Sequence, residues 1–310
     1  MEPLPRVSAV IPVYRGEQTL AELTARLEVV LAKVSSQHEI ILVNDGSPDS
    51  SWQVIETLCA ANPAVRGICL MRNYGQHNAT LCGVRAARFE IIITLDDDLQ
   101  HPPEEIPVLL KRLAEGWDVV YGVPHRRPHS WWRNFFSVFI KRTLSMVMGI
   151  ANLRDIGSFR AFRAVLRQAF ESYQSPNIIL DVLLSWGTTR FSSVPVHEEP
   201  RAEGVSTYSF SHLSRVALTV LTAYSTRPLR IASLLGFAFT LFGLGVFFYV
   251  LGVYFFLGSI PGFPFLASLV ALFSGIQLFA LGIIGEYLAR VFDRSMDRPT
   301  YVIGEEVKKK

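Results

Sequence analysis

Three consecutive carboxylates, Asp96, Asp97 and Asp98, follow the apolar run Ile91 to Leu95 in a chain of 310 residues. Hard divalent cations such as Mg²⁺ and Mn²⁺ prefer carboxylate and phosphate oxygens. Two carboxylates at i and i+2 after a strand project to one side of the chain, which makes Asp96 and Asp98 the candidate ligands. The competing reading has the three merely cap a helix that begins around Pro102 to Glu105. Other polar clusters follow other apolar runs: Pro12 and Tyr14 after the first, Asn44, Asp45, Gly46 and Ser47 after the second, and Arg72, Asn73, Tyr74, Gly75, Gln76 and His77 after the third. One basic and several acidic groups around a crevice suit a nucleotide whose diphosphate carries a metal ion.

The elements that must position these groups are short β-rich runs alternating with amphipathic stretches. The runs are Val7 to Ile11, Ile40 to Val43, Val65 to Leu70, Ile91 to Leu95 and Val119 to Tyr121; the stretches include Leu20 to Val34 and Trp52 to Ala60. Strand, helix, strand at this spacing predicts an α/β, Rossmann-like, mostly parallel sheet covered on both faces. In such sheets ligands bind beyond the carboxyl ends of the strands, where the polar clusters fall.

Half of the residues are hydrophobic, 12% aromatic and only 18% charged, too apolar for disorder and unusual for a purely soluble enzyme. A net charge of +3 is too mild to imply nucleic acid as a partner. Cys59, Cys69 and Cys82 form no CxxC or metal-ligand spacing and read as buried cytosolic thiols. The first six residues lack a basic region followed by an apolar run, so the N-terminal part is expected to stay in the cytoplasm. No charged residue occurs between Arg230 and Glu286, more than twice the roughly 20 residues that cross a bilayer. A Pro/Gly turn around Gly258 to Pro264 divides this stretch into two expected spans, near Ile231 to Phe256 and Phe265 to Leu288. Arg227 and Arg230 precede the first span, Arg290, Arg294, Arg298 and the Lys308 to Lys310 tail follow the second, and the turn carries no basic residue. Both termini are therefore expected on the cytoplasmic side of the inner membrane.

A further segment, Ser130 to Arg142, places Arg133, Ser137 and Lys141 on one polar stripe of a helix and Trp132, Phe135, Phe136 and Phe139 on its apolar face. Such a helix lies in a membrane interface, where its stripe can hold a lipid phosphate. Phe210 to Tyr224 is a second candidate interface helix. The expected organisation is a nucleotide-binding core (1–128), a region with amphipathic interface helices and further loops (129–229), a transmembrane hairpin (230–290) and a cytoplasmic tail (291–310).

The segments Ile11 to Tyr14, Val43 to Ser47, Arg72 to His77 and Leu95 to Pro107, in this order, closely resemble the family 2 glycosyltransferases with a GT-A fold. Within that family the chain is most similar to polyprenyl-phosphate glycosyltransferases, among them undecaprenyl-phosphate 4-deoxy-4-formamido-arabinose transferases and, more distantly, dolichol-phosphate mannose synthases. The resemblance extends to Gly157 to Arg160, Gly204 to Tyr208 and the hairpin ending in Gly285, Glu286 and Tyr287. It implies an enzyme that moves a monosaccharide from a nucleoside-diphosphate sugar, a uridine nucleotide by preference, to polyprenyl phosphate with inversion. Mg²⁺ or Mn²⁺ is the implied cofactor, and a homotetramer packed through the membrane parts the implied assembly.

By the same resemblance Pro12, Tyr14 and Glu17 border the nucleotide, Asp45 accepts a hydrogen bond from the base, Arg72 meets the nucleotide and Asn73 shapes its loop. Asp96 contacts the ribose or the metal, Asp98 ligates the metal directly, and Gln100 faces the donor sugar. Asp97 stands where the family usually has a small residue. Arg133 and Ser137 inherit the acceptor-phosphate role, with Arg126 or Arg127 replacing the basic residue expected where Val123 and Pro124 stand. Asp155 orients acceptor or donor sugar, although the family spacing to the Phe-Arg pair is one residue longer, and Arg160, Arg201 and Ser206 close over the diphosphate. The rival readings are a processive polysaccharide synthase, which predicts more spans and a Gln-x-x-Arg-Trp motif, and a non-catalytic membrane scaffold, against which the intact Asp45, Asp96 and Asp98 argue.

Overall fold

The structure, a computed structural model, describes residues 4–124, 157–175, 178–199, 227–257 and 262–308. The chain divides into two compact units, Met1–Ser209 with Asp297–Lys310, and Phe210–Met296.

In the first unit the apolar runs become strands β1 (Arg6–Val13), β2 (Gln37–Asn44), β3 (Val65–Leu70), β4 (Ile91–Thr94) and β5 (Val119–Pro124). Between them run helices α1 (Leu20–Val34), α2 (Ser51–Ala61), α3 (Gln76–Ala86) and α4 (Ile106–Ala114). In α1 the buried positions Leu20, Leu23, Leu27, Val30 and Leu31 recur every three or four residues, the stripe a helix needs to cover a sheet face. Strands β6 (Arg160–Arg163) and β7 (Phe191–Val196), helix α5 (Leu180–Gly187) and strand β8 (Ile303–Lys308) complete the unit.

The eight strands form one sheet in the order β7-β5-β6-β4-β1-β2-β3-β8. β1 pairs in parallel with β2 and β4, β2 with β3, and β5 with β7, while β6 and β8 run antiparallel to their neighbours. The sheet is therefore mixed but mostly parallel. Val7, Ala9, Ile11, Ile40, Leu42 and Ile93 on one face and Val10, Ile41, Val43 and Ile92 on the other are fully buried, as expected for parallel strands covered on both faces. The chain winds outward from β1 through β2 to β3, then returns through α3 to place β4 on the opposite side of β1. This reversal of strand order opens a crevice at the carboxyl ends of β1 and β4. Close seating of α3 on the sheet depends on Gly83, where an added Cβ would come within 2.3 Å of Val10.

The segment read as a cytoplasmic tail, 291–310, contains β8, which pairs antiparallel with β3 from Arg66 opposite Lys308 to Leu70 opposite Ile303. The far end of the sequence is thus an edge strand of the first unit's sheet.

The second unit contains helices α6 (Arg227–Leu257) and α7 (Phe263–Ser295). Their faces meet at Phe273, whose ring lies 6.3 Å from that of Phe239 and 6.4 Å from that of Phe242. Ala232–Val250 in α6, 19 residues with a mean hydropathy of 2.0, is long and apolar enough to cross a bilayer; the apolar stretch Phe273–Ala289 in α7 is shorter.

Candidate active site

A cleft of about 280 Å³ opens at the reversal point. It is lined by Pro12, Val13 and Tyr14 from the end of β1, Asp45 after β2, Asn73, Gly75 and Gln76 ahead of and within α3, and Asp96, Asp97 and Asp98 after β4. Two residues beside it, Arg15 and Leu99, adopt the left-handed backbone at φ 60° each although neither is glycine. Such strain persists only where the surroundings enforce it, and it clusters at functional sites.

Asp45 organises the wall. Its carboxylate accepts the Tyr74 amide at 2.7 Å and the Gly75 amide at 2.8 Å, which bends the loop after β3 over the end of β2. Burial raises its pKa above the ordinary value against the opposing pull of those amides. Gly46 makes the approach possible: it sits at φ +63°, and a Cβ there would lie 2.5 Å from the Arg72 carbonyl carbon.

Each of the three consecutive aspartates has a different set of partners. Asp96 accepts the Ser158 hydroxyl at 2.6 Å on Oδ2 and the Gln76 amide on Oδ1. Asp97 turns back to accept the Tyr14 amide at 3.1 Å, tying the loop after β4 to the loop after β1. Asp98 accepts the Gln100 amide at 3.2 Å. Burial raises Asp96 above the ordinary carboxylate range, with Asp98 adding repulsion against the Ser158 bond. Burial, opposed by the Tyr14 amide and reinforced by Asp96 and Asp98, pushes Asp97 up to about 7. The cleft therefore holds more negative charge than it can comfortably ionise, which a divalent cation would relieve.

Among the described residues no group of three or more His, Cys, Asp or Glu side chains converges on one point as a self-sufficient metal cage. A Mg²⁺ ion at a nucleotide needs only one or two carboxylates, the substrate phosphates supplying other oxygens. The aspartates lining the cleft are of the chemistry that could hold such an ion.

Of the other residues singled out in the sequence, Pro12, Tyr14 and Asn73 line the cleft. Glu17 is not among the lining residues; its carboxylate accepts the Ser50 amide at 3.0 Å, and its own amide donates to Asp49 at 3.4 Å. Arg72 is exposed, with its guanidinium 4.7 Å from the centre of the Tyr74 ring. Gln100 lies outside the lining, and its carbonyl accepts the Glu199 amide at 2.9 Å.

The expectation that Arg160 closes over the diphosphate is corrected. Arg160 is 2% exposed within β6, ion-paired with Asp181 of α5 and donating to Thr94 Oγ1 at 2.9 Å. A guanidinium so enclosed is spent on internal partners. Asp155, Arg126, Arg127, Arg133, Ser137, Arg201 and Ser206, and the two candidate interface helices, lie outside the described residues.

Sequence reasoning passed over Gln76 and Ser158, which bind Asp96. Both stand inside motifs quoted for their resemblance, but neither carries a charge that would have marked it.

Comparison with known proteins accords with this geometry. The model for "Glycosyl transferase family 2" matches residues 8–173, just over half of the chain. Glucosyl-3-phosphoglycerate synthase from Mycobacterium tuberculosis, solved with phosphoglyceric acid, superposes with a TM-score of 0.52 at 16% identity over 71% of this chain and 80% of its own. The same enzyme with Mn²⁺, UDP-glucose and glycerol 3-phosphate gives 0.50 at 15% identity over 71% and 80%. Mannosyl-3-phosphoglycerate synthase from Rubrobacter xylanophilus gives 0.50 at 15% identity over 73% and 74%. At these identities the structures speak for the fold, a GT-A, Rossmann-like sheet, and the match over residues 8–173 settles the family: the chain belongs to glycosyl transferase family 2.

Proposed function

We propose that this protein is a membrane-bound inverting glycosyltransferase that moves a monosaccharide from a nucleoside-diphosphate sugar to polyprenyl phosphate at the cytoplasmic face of the inner membrane. The observation that carries the reading is one chain joining a four-carboxylate cleft at the carboxyl ends of β1, β2 and β4 to a helix apolar enough to span a bilayer.

The donor half rests on the cleft. A diphosphate approaching Asp45, Asp96, Asp97 and Asp98 without a counter-ion meets repulsion, so the arrangement favours a nucleotide that arrives with a divalent cation. When bound, the ion neutralises charge gathering on the departing nucleoside diphosphate. The crystallised complex of the mycobacterial relative with Mn²⁺ and UDP-glucose supports a uridine donor and this class of metal.

The acceptor half rests on the second unit. Phe237, Phe248, Phe255 and Phe256 of α6 are largely exposed, an apolar surface far beyond what a soluble monomer presents to water. A lipid environment accounts for it, with α6 and α7 as the anchoring hairpin and both termini cytoplasmic. A polyprenyl chain cannot leave the bilayer, because each buried methylene is worth roughly 0.8 kcal/mol, so the donor must come to the membrane. The acceptor phosphomonoester is mostly dianionic at neutral pH, its second pKa being about 6, and needs little help from a base. Its oxygen bonds to the anomeric carbon as the bond from that carbon to the donor's β-phosphate oxygen breaks, which inverts the centre. Arg133 and Ser137 hold that acceptor phosphate, and the active protein is a homotetramer.

The test is to incubate the purified full chain in detergent with undecaprenyl phosphate, Mn²⁺ or Mg²⁺ and a panel of labelled nucleotide sugars, with 3-phosphoglycerate as a parallel acceptor. Labelled glycolipid that disappears with a chelator and in Asp98→Asn is the expected result. Glycolipid from no donor, undiminished product in Asp98→Asn, or transfer only to 3-phosphoglycerate overturns the proposal.

A further inference from the structure

A carboxylate beside two others has a reason to rotate away from them. Asp96 stands next to Asp97 and one residue from Asp98, on a loop that passes through the strained backbone of Leu99. Its carboxylate is nevertheless held on both oxygens, by donors from two separate elements. Gln76 reaches Oδ1 from the first turn of α3, and Ser158 reaches Oδ2 from the residues leading into β6. Each carboxylate oxygen can accept more than one hydrogen bond or ligand, so two such donors fix the plane of the group without exhausting it.

The Ser158 side of this grip has its own foundation. The Ser158 carbonyl accepts the Thr94 hydroxyl at 2.6 Å, and Thr94 Oγ1 in turn accepts Arg160 Nε at 2.9 Å. Arg160 is ion-paired with Asp181, which also accepts the Tyr121 hydroxyl at 2.7 Å. Thr94, Arg160 and Asp181 are 1%, 2% and 4% exposed and Tyr121 is fully buried. A hydrogen-bonded chain thus runs from a buried ion pair between β6 and α5 to a carboxylate lining the cleft. Packing alone needs no such chain, since apolar residues fill a sheet interior without ionic partners to satisfy.

We propose that Gln76 and Ser158 are positioning residues that hold the Asp96 carboxylate in the orientation used for the cation-bearing donor, with Thr94, Arg160, Asp181 and Tyr121 as the buried base of that grip. The inference rests on the reading of the cleft as the donor site. Outer partners of metal-binding carboxylates commonly change metal affinity about tenfold or more when removed, without touching the ion.

The experiment uses the full chain in detergent and measures the Mn²⁺ concentration that half-saturates binding of UDP, GDP or dTDP, together with the thermal midpoint without ligand. Ser158→Ala and Gln76→Ala should each raise the Mn²⁺ midpoint about tenfold while the ligand-free thermal midpoint stays at the wild-type value. Ser158→Thr, which keeps the hydroxyl, should restore the wild-type Mn²⁺ midpoint. Gln76→Ala, at an exposed position that opens α3, serves as the second variant should Ser158→Ala fold poorly. Mn²⁺ midpoints within twofold of wild type in the folded alanine variants, or a raised midpoint that Ser158→Thr leaves uncorrected, overturn the inference alone. Wild-type protein that binds none of the three nucleotides with Mn²⁺ overturns the functional reading and this inference with it.

Discussion

The reassignment of Arg160 from substrate clamp to internal scaffold is exposed to a direct test through its partner. In Asp181→Ala the guanidinium stays where it is, its side chain 3% exposed, and loses the only carboxylate that forms a salt bridge with it among the described residues. Removing one member of a buried pair typically costs about 3–5 kcal/mol, because the survivor is left charged and unsolvated. The Tyr121 hydroxyl loses its acceptor in the same step. For a domain of this size each kcal/mol moves Tm by roughly 2–4 °C, so the first unit should melt about 6–20 °C below wild type. Replacing both members, as Arg160→Met with Asp181→Leu, removes the stranded charge and should recover most of the loss, since apolar replacements of buried pairs are often neutral or better. The assay is near-ultraviolet circular dichroism of the full chain in detergent, followed through thermal unfolding. An Asp181→Ala protein melting within 2 °C of wild type would refute the reasoning. So would an Arg160→Met protein that keeps its Tm and loses only nucleotide binding, which would return Arg160 to the diphosphate.

Gly46→Ala should lower both Tm and nucleotide affinity: the left-handed backbone costs a non-glycine about 1–2 kcal/mol, and the new methyl collides with the Arg72 backbone that Asp45 holds in place. Unchanged nucleotide binding in that variant would dissociate Gly46 from the site. Glu39, fully buried, would be raised by its burial, but the Arg88 amide, Ser8 and Arg66 hold it below its ordinary 4.5. The stability it contributes is complete above about pH 4.5 and is lost as pH falls through its lower folded value. Wild-type Tm should therefore fall more steeply than that of Glu39→Gln below pH 4.5, and parallel curves would count against the ion cluster. Burial pushes the Cys59 thiol up to about 11 and the Cys82 thiol up to about 12, so native protein at pH 8 should leave both unmodified by a thiol-disulfide reagent while denatured protein reacts at all three cysteines. Rapid modification of Cys82 in the native state would contradict its enclosure.

What the sequence disclosed followed the physics of burial. Strands β1 to β5 were legible because parallel strands covered on both faces must be continuously apolar, and their limits fall within a few residues of the runs. Helix α3 was not legible as a helix: its buried positions include Asn78, Thr80 and Gly83, which break any apolar stripe. Strand β8 carries Glu305, Glu306 and Lys308 and is exposed along most of its length, as an edge strand tolerates. A charged C-terminal segment of this kind gives no period-two signal, so it read as a tail. In the site, charge guided attention to Asp45, Asp96 and Asp98, all of which line the cleft. The same guide misled at Arg160, because the carboxylate that neutralises it lies 21 positions downstream and is brought close only by the packing of α5 under β5 and β6.

The location of the acidic residues follows from that same packing. Asp96 and Asp98 come after β4, which is flanked by β1 on one side and by the antiparallel β6 on the other. The β1 side delivers Tyr14, whose amide is taken by Asp97; the β6 side delivers Ser158, whose hydroxyl is taken by Asp96. Two of three adjacent carboxylates are thereby turned toward opposite neighbouring strands, and Asp98 bonds locally to the Gln100 amide. Had all three been free to rotate, mutual repulsion would have spread them outward into solvent, where an incoming cation would have to reorder them at an entropic cost. Here the hydrogen bonds do that ordering during folding, so the negative field of the cleft exists before any ligand arrives. A preorganised anionic cleft of this kind favours a cation-bearing nucleotide over the bare one, and by linkage the nucleotide must strengthen the cation to the same degree that the cation strengthens the nucleotide.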